Sequence, residues 1–402
     1  MSLKLQGTTS LLFIRGAEAI EKIAFEVATG ETLDVPTEVA PLFRPVKIGR
    51  FELSNRVVLA PLTRCRCPGG VPTEMVAEYY GQRTTKGSLL ITEATVIEPR
   101  GHGYPNTPSI YSNEHMEGWK QVVKTVKGKG GIFFCQLWHV GRASHQDFQP
   151  GDAEPVSSSA VSIGSSFQVF SPKDFTMKAY PMPRALETAE VKEIVQMYRK
   201  AAKNAIDAGF DGVEVHAANG YLIDQFLEDG VNHRTDEYGG SVENRARFAL
   251  EIVEAVVNEV GADRVGIRVN PHNKFLDCTG SDPVIQHGYL LKELNKFNLA
   301  YVHAVEPRVI GNDDVEGEHP TLDPFKAVYN GVWMVAGGFK RDTGIEAVKS
   351  GKGDLVAYGR DFIANPDIHK RFILNAPLNK YDRNTFYSQG AEGYIDYPFL
   401  KS

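Results

Sequence analysis

Eight short apolar segments alternate with helix-like segments along the chain. Each apolar segment is nearly continuous, which is typical of parallel strands that are buried on both faces. Strict alternation predicts an α/β fold with a parallel sheet covered by helices, and eight repeats predict closure into a (β/α)₈ TIM barrel. The predicted strands are residues 56–62, 88–95, 131–138, 210–216, 264–270, 298–305, 332–338 and 354–360.

Four further segments have patterns of their own. Residues 187–208 and 241–260 repeat apolar positions at helical spacing, which predicts two long helices. Residues 46–55 contain two short alternating runs, which predict a hairpin that plugs the barrel floor. Residues 141–186 are rich in Ser, Gly and Pro and interrupt the third unit, so we predict a lid on the catalytic face.

The domain organisation follows from these patterns. We expect residues 1–40 to be an N-terminal extension of unknown role, and residues 41–402 to form one barrel domain. The formal net charge of −6 argues against a nucleic-acid partner bound through a basic face. No apolar run approaches the roughly 20 residues that a membrane-spanning helix needs.

Cysteine usage and the C-terminus bear on the compartment. Four cysteines in 402 residues are too few for a disulfide framework, so a reducing compartment is expected. The chain ends in Leu-Lys-Ser rather than a peroxisomal Ser-Lys-Leu signal, and we expect a cytoplasmic protein. A monomer and a homodimer are both compatible with the sequence.

Polar side chains cluster where the apolar segments end. The carboxyl ends of barrel strands and the loops after them form the active site of this fold, so these side chains should surround one site. Structural residues alone would not require such a ring. Its members are Thr63, Arg64, Glu93, Thr95, Gln136, His139, His216, Asn219, Tyr221, Arg268, Asn270, Gly337, Gly338, Gly359 and Arg360.

The ends of the last two strands resemble a phosphate site. In this fold, phosphate is commonly held after the seventh and eighth strands, where this chain has Gly337, Gly338, Gly359 and Arg360. Glycines allow backbone N–H groups to approach an anion, and a guanidinium adds a fork of donors. Alternatively, the glycines only turn tight corners. The chain has no strand–GxGxxG–helix fingerprint, so the barrel itself would hold any nucleotide.

Two of the candidate residues, Arg268 and His216, have structural or metal-binding roles as alternatives. Arg268 lies between apolar residues, where a guanidinium is unfavourable unless paired, and a neighbouring Glu is one candidate partner. His216 and Asn219 share a face in a helical turn, but Tyr221 does not, so spacing alone does not bring the three together. A zinc site is not predicted, because no other His or Cys lies at ligand spacing from His216.

Residues 216–227, HAANGYLIDQFL, and residues 232–248, NHRTDEYGGSVENRARF, resemble the signature of the old yellow enzyme family. These flavin-dependent ene-reductases include the plant 12-oxophytodienoate reductases. The resemblance implies a noncovalent FMN, with NADPH as the reductant. The residues that match its flavin contacts are Pro61, Leu62, Thr63, Ala94, Gln136 and Arg268. The predicted FMN site also includes the phosphate-site residues Gly337, Gly338, Gly359 and Arg360.

The same resemblance implies the catalytic roles. His216 and Asn219 would hydrogen-bond the carbonyl oxygen of an α,β-unsaturated substrate, and Tyr221 would protonate its α-carbon. Two fixed donors act as an oxyanion hole for the enolate that hydride addition creates. The plant reductases usually carry His-x-x-His, whereas this chain has His-x-x-Asn. This departure affects the inferred substrate more than the inferred reaction.

Four residues are expected to contact the substrate beyond its reacting carbons. By position, Tyr104 and Phe275 resemble the aromatic residues that shape the pocket mouth in the plant relatives, although both rings could simply pack in the rim. Arg308 would suit a distal carboxylate. Tyr387 is the fourth predicted contact.

These observations predict an NADPH-dependent enzyme that reduces the C=C bond of a small-molecule enone. A 12-oxophytodienoate reductase acting on a cyclopentenone oxylipin in fatty-acid-derived oxylipin biosynthesis is the favoured interpretation, and a broad-range enone or xenobiotic reductase is the alternative. A flavin-free barrel lyase or isomerase that uses Arg268 and Arg360 on substrate phosphates belongs to a different class. A non-catalytic flavin or oxylipin binder is a third hypothesis.

Overall fold

The structure is a computed structural model, and it describes residues 23–311 and 313–401. Eight parallel strands pair in chain order and close on themselves, because the first strand pairs with both the second and the eighth. This confirms the predicted (β/α)₈ barrel. The strands are β1 (Val57–Leu59), β2 (Leu89–Ile91), β3 (Ile132–Trp138), β4 (Gly212–Ala217), β5 (Val265–Val269), β6 (Tyr301–Val305), β7 (Trp333–Ala336) and β8 (Leu355–Tyr358).

Inward-facing side chains from the strands fill the barrel with an apolar cluster. A hairpin of Val46–Ile48 and Phe51–Leu53 is present within the predicted segment 46–55, and its Ile48 and Leu53 belong to the same cluster. The Phe51 ring lies 5.8 Å from that of Phe134 in β3. Because these contacts bury the apolar residues of the hairpin against strand side chains, the hairpin contributes to the barrel core. Its role as a plug of the floor stays a prediction.

Helices surround the barrel and connect its strands. The two predicted long helices are observed as Thr188–Asp207 and Val242–Val260, and they pack against each other. The second begins after Ser241, whose Oγ accepts a hydrogen bond from the backbone N–H of Asn244 at 3.3 Å, as an N-cap does. The other α-helices are Ala40–Phe43, Glu74–Gln82, Asn113–Gly128, Leu222–Leu227, Pro283–Leu294, Asp323–Lys326, Arg341–Lys349, Arg360–Ala364 and Ile368–Ile373.

Part of the predicted N-terminal extension packs on the barrel. Ile23–Glu26 and Thr32–Val35 pair as an antiparallel hairpin, and residues 1–22 lie outside the described residues. The ring of Phe25 lies 4.9 Å from Phe43 and 5.8 Å from His369, so the hairpin covers the helix Ile368–Ile373. Among the described residues, no helix is both long and apolar enough to cross a membrane.

The segment 141–186, which we predicted as a lid, contains only short elements. Val156–Ser157 pairs with Arg184–Ala185, and Gln168–Phe170 pairs with Met177–Ala179. The buried Arg142 anchors the segment, because its Nη2 donates to the carbonyl oxygens of Leu276 at 2.9 Å and Asp277 at 3.0 Å. These bonds attach the segment to the loop after β5, and movement of the segment as a lid stays a prediction.

Buried guanidinium groups hold the C-terminal segment, residues 383–394, against the barrel rim. Arg66 donates to the carbonyl oxygens of Gly390 at 2.8 Å, Glu392 at 3.0 Å and Thr385 at 3.1 Å. Arg64 donates in the same way to Gly393 at 2.8 Å. Because a backbone carbonyl in the interior needs a donor, these bonds fix the path of the segment beyond its one short 3-10 helix, Arg383–Thr385.

We predict that Arg66→Ala lowers the free energy of unfolding by about 3 kcal/mol, since it leaves several buried carbonyl oxygens without donors. Urea denaturation measures the change. Arg50→Ala is the matched control, because Arg50 forms an exposed ion pair with Asp263 at 2.7 Å and should contribute at most about 1 kcal/mol. Equal destabilisation by the two substitutions would contradict this account of the C-terminal segment.

Candidate active site

Two adjoining cavities open at the carboxyl ends of the strands. The larger has a volume of about 850 Å³, and the smaller, at the ends of β7 and β8, has about 120 Å³. Every residue that we predicted to contact FMN or substrate lines one of them, except Arg308. The larger is lined by Pro61, Leu62, Thr63, Ala94, Tyr104, Gln136, His216, Asn219, Tyr221, Arg268, Phe275, Arg360 and Tyr387, and the smaller by Gly337, Gly338 and Gly359 as well.

Some members of the predicted polar ring lie behind the cavity walls. The Arg64 side chain holds the C-terminal segment, and the backbone N–H of Arg64 donates to Glu93 Oε2 at 3.1 Å. His139 Nε2 lies 3.1 Å from Glu98 Oε1, and His139 lines neither of the two cavities. A strand end therefore locates the rim of the site, but the direction of each side chain decides whether it reaches the cavity. The ring members outside both linings are Arg64, Glu93, Thr95, His139 and Asn270.

A left-handed turn after β4 brings His216, Asn219 and Tyr221 together. Asn219 has φ 60° and Gly220 has φ 78°, a conformation that Asn and Gly adopt more readily than other residues. A Cβ on Gly220 would lie 2.8 Å from the carbonyl oxygen of Phe275, so glycine is required there. The turn reverses the chain, and the Tyr221 ring returns to within 5.1 Å of the His216 ring. Helical spacing alone could not have predicted this convergence.

Burial fixes the protonation states of His216 and Tyr221. Burial lowers the pKa of His216 well below its usual value, and the nearby Arg268 charge lowers it further. The imidazole is therefore neutral, and its buried Nδ1 has no hydrogen-bond partner within the described residues. Burial also raises the pKa of Tyr221 above its usual value, although a hydrogen bond with Tyr104 opposes this. The phenol therefore keeps its proton at neutral pH.

Tyr221 is hydrogen-bonded to a second phenol. The hydroxyl oxygens of Tyr104 and Tyr221 lie 3.1 Å apart, and the Trp138 ring packs edge-on against Tyr221 at 5.0 Å. Tyr180, from the lid segment, lines the same cavity, and burial raises its pKa to about 12. The Tyr221 hydroxyl therefore lies beside a second hydroxyl that can donate a proton, and the Trp138 ring supports the Tyr221 ring.

Arg268 presents a cation to the cavity without a protein partner. No hydrogen bond or ion pair joins its guanidinium to residues 23–311 or 313–401, and its buried Nε is unpartnered. The neighbouring Glu214 instead accepts a hydrogen bond from Gln136 Nε2 at 2.7 Å and interacts with His303 Nδ1 at 2.9 Å. Burial favours a raised pKa for Glu214, but His303 and Arg268 together hold it below its usual value. The salt bridge from Arg268 to a Glu that we considered from sequence is therefore not formed.

The smaller cavity has the features of an anion site. Gly337 and Gly338 have φ 116° and φ 69°, and a Cβ on Gly337 would lie 2.9 Å from Glu306. The backbone N–H groups of Gly338 and Phe339 form no hydrogen bond within the described part of the chain. Arg360 also lines the cavity, and its Nη1 donates to Asp314 at 2.9 Å. The smaller cavity is thus lined by two glycines with positive φ and by the Arg360 cation, beside backbone N–H groups that have no acceptor among the described residues.

Arg308 is the one predicted substrate contact that the structure places elsewhere. Its guanidinium lies 4.5 Å above the Phe339 ring and 3.9 Å from Glu306, and it lines neither cavity. The cation–π contact holds it away from the larger cavity, so the predicted carboxylate contact loses its geometric support. Among the described residues, no ring contact joins Tyr104 and Phe275, because Phe275 packs edge-on against Phe167 of the lid segment at 5.5 Å.

Several residues of the site had no signal at a strand end. Tyr180 and Met177 reach the larger cavity from the lid segment, and Phe386 and Ser388 reach it from the C-terminal segment. Neither segment has a periodic pattern that would place its side chains. Lys340 lines the smaller cavity and pairs with Asp361 at 2.9 Å. Its position, two residues after Gly338 at the end of β7, was a signal in the sequence that we did not use.

A buried cluster of Asp224, Glu228 and His287 supports the turn from below. These are the metal-capable groups that lie close together within the described residues. The His287 ring bonds directly to Glu228 at 2.8 Å, while Asp224 Oδ2 accepts the backbone N–H of Gly220 at 2.8 Å. Burial raises the pKa of Asp224 well above its usual value, and the Glu228 charge adds to this. The hydrogen bond from Gly220 to Asp224 links the cluster to the turn.

Comparison with known proteins identifies the family. The model of the NADH:flavin oxidoreductase / NADH oxidase family matches residues 41–379. The chain belongs to this family of oxidoreductases. Two curated relatives from Oryza sativa subsp. japonica are 12-oxophytodienoate reductase 7, 52% identical over 90% of this chain and 95% of the rice protein, and 12-oxophytodienoate reductase 1, 52% identical over 90% and 93%.

Solved structures of the flavin oxidoreductase family share the barrel. Morphinone reductase in complex with tetrahydroNAD is 45% identical, covers 90% of this chain and 98% of its own, and has a TM-score of 0.84. An old yellow enzyme homologue from Zymomonas mobilis is 38% identical, covers 89% and 99%, and has a TM-score of 0.85. These findings confirm the resemblance to the old yellow enzyme family.

The cavities of this flavin oxidoreductase fit FMN. Gln136 Nε2 is engaged by Glu214, which leaves its Oε1 as an acceptor in the larger cavity, and the unpaired Arg268 offers donors beside it. An acceptor and a cation suit the N–H and carbonyl groups on the pyrimidine edge of the flavin. The glycine-lined smaller cavity suits the phosphate. The two cavities share Pro61 and Leu62, so one ligand could extend through both.

We predict that Arg268→Met weakens FMN binding by about 10- to 100-fold, since a charged hydrogen bond contributes about 1.5–3 kcal/mol. Thermal stability without FMN should stay unchanged or rise, because removing a buried guanidinium that has no hydrogen bond or ion pair outweighs the loss of its longer-range attraction to Glu214. Fluorescence titration with FMN and thermal denaturation measure the two effects. Arg268→Lys keeps the charge and should retain part of the affinity. Unchanged affinity in Arg268→Met would show that this cation does not hold the flavin.

Proposed function

We propose that the protein is an NADPH-dependent FMN ene-reductase that saturates the C=C bond of α,β-unsaturated carbonyl compounds. The observation that carries the proposal is the convergence of His216, Asn219 and Tyr221 on one cavity with Arg268. Two neutral N–H donors and one neutral phenol suit a carbonyl oxygen and an α-carbon, respectively. The match of residues 41–379 to a family of flavin oxidoreductases argues against the flavin-free lyase or isomerase.

Each side chain of the site has a separate role in the proposed reaction. His216 and Asn219 donate hydrogen bonds to the substrate oxygen, and these bonds strengthen as negative charge develops on it. FMN, once reduced by NADPH, would supply the hydride for the β-carbon. Tyr221 then gives its proton to the α-carbon, and its raised pKa ensures that the proton is present at neutral pH. Tyr104, hydrogen-bonded to Tyr221, stabilises the phenolate that remains.

We further propose a cyclopentenone of the 12-oxophytodienoate type as the substrate, in oxylipin metabolism. Identity of 52% to rice 12-oxophytodienoate reductases and an 850 Å³ cavity that extends to the lid segment support this. A broad-range enone reductase remains the alternative, since Arg308 does not reach the cavity to select a carboxylate. The ratio of turnover with NADPH to turnover with NADH tests the proposed reductant.

Tyr221→Phe should slow enone reduction by about 10²–10⁴-fold, which is the usual contribution of a positioned general acid. Oxidation of NADPH in the first half of the cycle should change little, because no proton is given to carbon there. Stopped-flow measurement of the two halves separates these effects. Tyr198→Phe is the matched control, because Tyr198 is buried but lines neither cavity. Equal slowing of both halves in Tyr221→Phe would show that Tyr221 only supports the structure.

Phe275→Ala should alter the preference between the enantiomers of cis-12-oxophytodienoate, because it removes the ring that closes the cavity against Phe167. The value of kcat/KM for 2-cyclohexenone, which is much smaller than the oxylipin, should change less than about twofold. Phe175→Ala is the control, since Phe175 is exposed and lines neither cavity. Parallel changes for the large and the small enone would favour the broad-range reductase.

A further inference from the structure

The end of β5 carries a second asparagine that contacts the catalytic turn. Asn270 directly follows Val265–Val269 and is 5% exposed. Its Nδ2 donates a hydrogen bond to Asn219 Oδ1 at 2.9 Å. We propose that Asn270 is a positioning residue that fixes which end of the Asn219 amide faces the substrate. This inference rests on the proposed function, in which Asn219 donates to the substrate oxygen.

The orientation of an amide decides whether Asn219 assists or opposes the reaction. The amide has an acceptor oxygen on one branch and two N–H donors on the other, and the two branches have nearly the same shape. Because Asn219 Oδ1 is engaged by Asn270, its Nδ2 remains available, and it donates to no residue in the described ranges. Reversal of the amide would place an oxygen against the developing enolate oxygen, which is repulsive.

A chain of hydrogen bonds from the backbone defines the orientation of Asn270. Asn273 Nδ2 donates to the carbonyl oxygens of Phe275 and Cys278, both at 3.2 Å, and its Oδ1 accepts the backbone N–H of Phe275 at 3.1 Å. Backbone groups have only one hydrogen-bonding sense, so they fix Asn273 Oδ1 as an acceptor. That oxygen lies 3.4 Å from Asn270 Nδ2. Asn270 therefore directs its amide nitrogen, not its oxygen, toward Asn273 and Asn219.

The same chain is linked to the base of the turn. Asn273 Nδ2 also lies 3.3 Å from Asp224 Oδ2, which accepts the N–H of Gly220. One hydrogen-bonded network, formed by Asn270, Asn273 and Asp224, thus holds both the side chain of Asn219 and the backbone of Gly220. Such a device is useful when residue 219 is Asn, because the carbonyl oxygen of a reversed amide would face the substrate. Asn270 is therefore the residue that contacts and orients the Asn of the His-x-x-Asn motif.

The test replaces the donor of Asn270 by an acceptor. Asn270→Asp offers only oxygen atoms, so the Asn219 amide should reverse and turn its oxygen toward the substrate. In the FMN-loaded enzyme we expect kcat/KM for 2-cyclohexenone to fall about 100-fold, as for the loss of an oxyanion donor. The Kd of 4-hydroxybenzaldehyde, followed by its absorbance change, should rise at least about tenfold. Asn270→Leu, which removes the donor without imposing reversal, should cost about tenfold or less.

Asn219→Ala provides the comparison background. Because alanine has no amide to orient, Asn270→Leu should change kcat/KM and Kd less than about twofold in this background. Equal losses in the Asn219 and Asn219→Ala backgrounds would overturn the inference, since they would show a general structural role. So would wild-type values for Asn270→Asp. If Asn270→Asp does not fold, the Asn270→Leu cycle decides alone. Wild-type behaviour of Asn219→Ala would instead refute the proposed function of Asn219.

Discussion

The left-handed turn at Asn219 and Gly220 is the constraint on which the candidate site depends. It ends β4, reverses the chain and returns Tyr221 to the His216 ring. Substituting Gly220 would drive a Cβ into the Phe275 carbonyl, so the turn also fixes the distance between β4 and the loop after β5. The buried Asp224 holds it from below. The geometry of the candidate site and the local packing therefore depend on the same turn.

Around this turn, the protein keeps polar groups buried without partners of their own. Arg268 and His216 line the cavity and have buried nitrogen atoms without partners among the described residues, although such burial is unfavourable for folding. The carboxylate that could pair with Arg268 is engaged by other residues: Glu214 interacts with Gln136 and His303 instead. The site is thus prepared for a ligand that carries negative charge and a carbonyl oxygen, and ligand binding would offset this unfavourable burial.

The barrel and most of its rim were predictable because they follow from hydrophobic period and from chain order. Strand ends located Gln136 and Arg268 without knowledge of their contacts. Spacing did not predict the convergence of Tyr221, although the Asn-Gly dipeptide is a turn signal that favours positive φ. Arg308 was misplaced because a cation–π contact with Phe339, in another loop, decides its direction. Residues of the lid and C-terminal segments follow tertiary hydrogen bonds, such as those of Arg66, which no local pattern encodes.

Product analysis tests the central claim most directly. The purified protein is incubated without oxygen with NADPH and 2-cyclohexenone, and the products are separated by gas chromatography. Donors at the carbonyl oxygen and an acid at the α-carbon predict cyclohexanone in an amount equal to the NADPH oxidised. Formation of 2-cyclohexenol would show that the carbonyl is reduced instead, and an absence of product despite bound FMN would contradict the assignment of His216, Asn219 and Tyr221 to an ene-reductase.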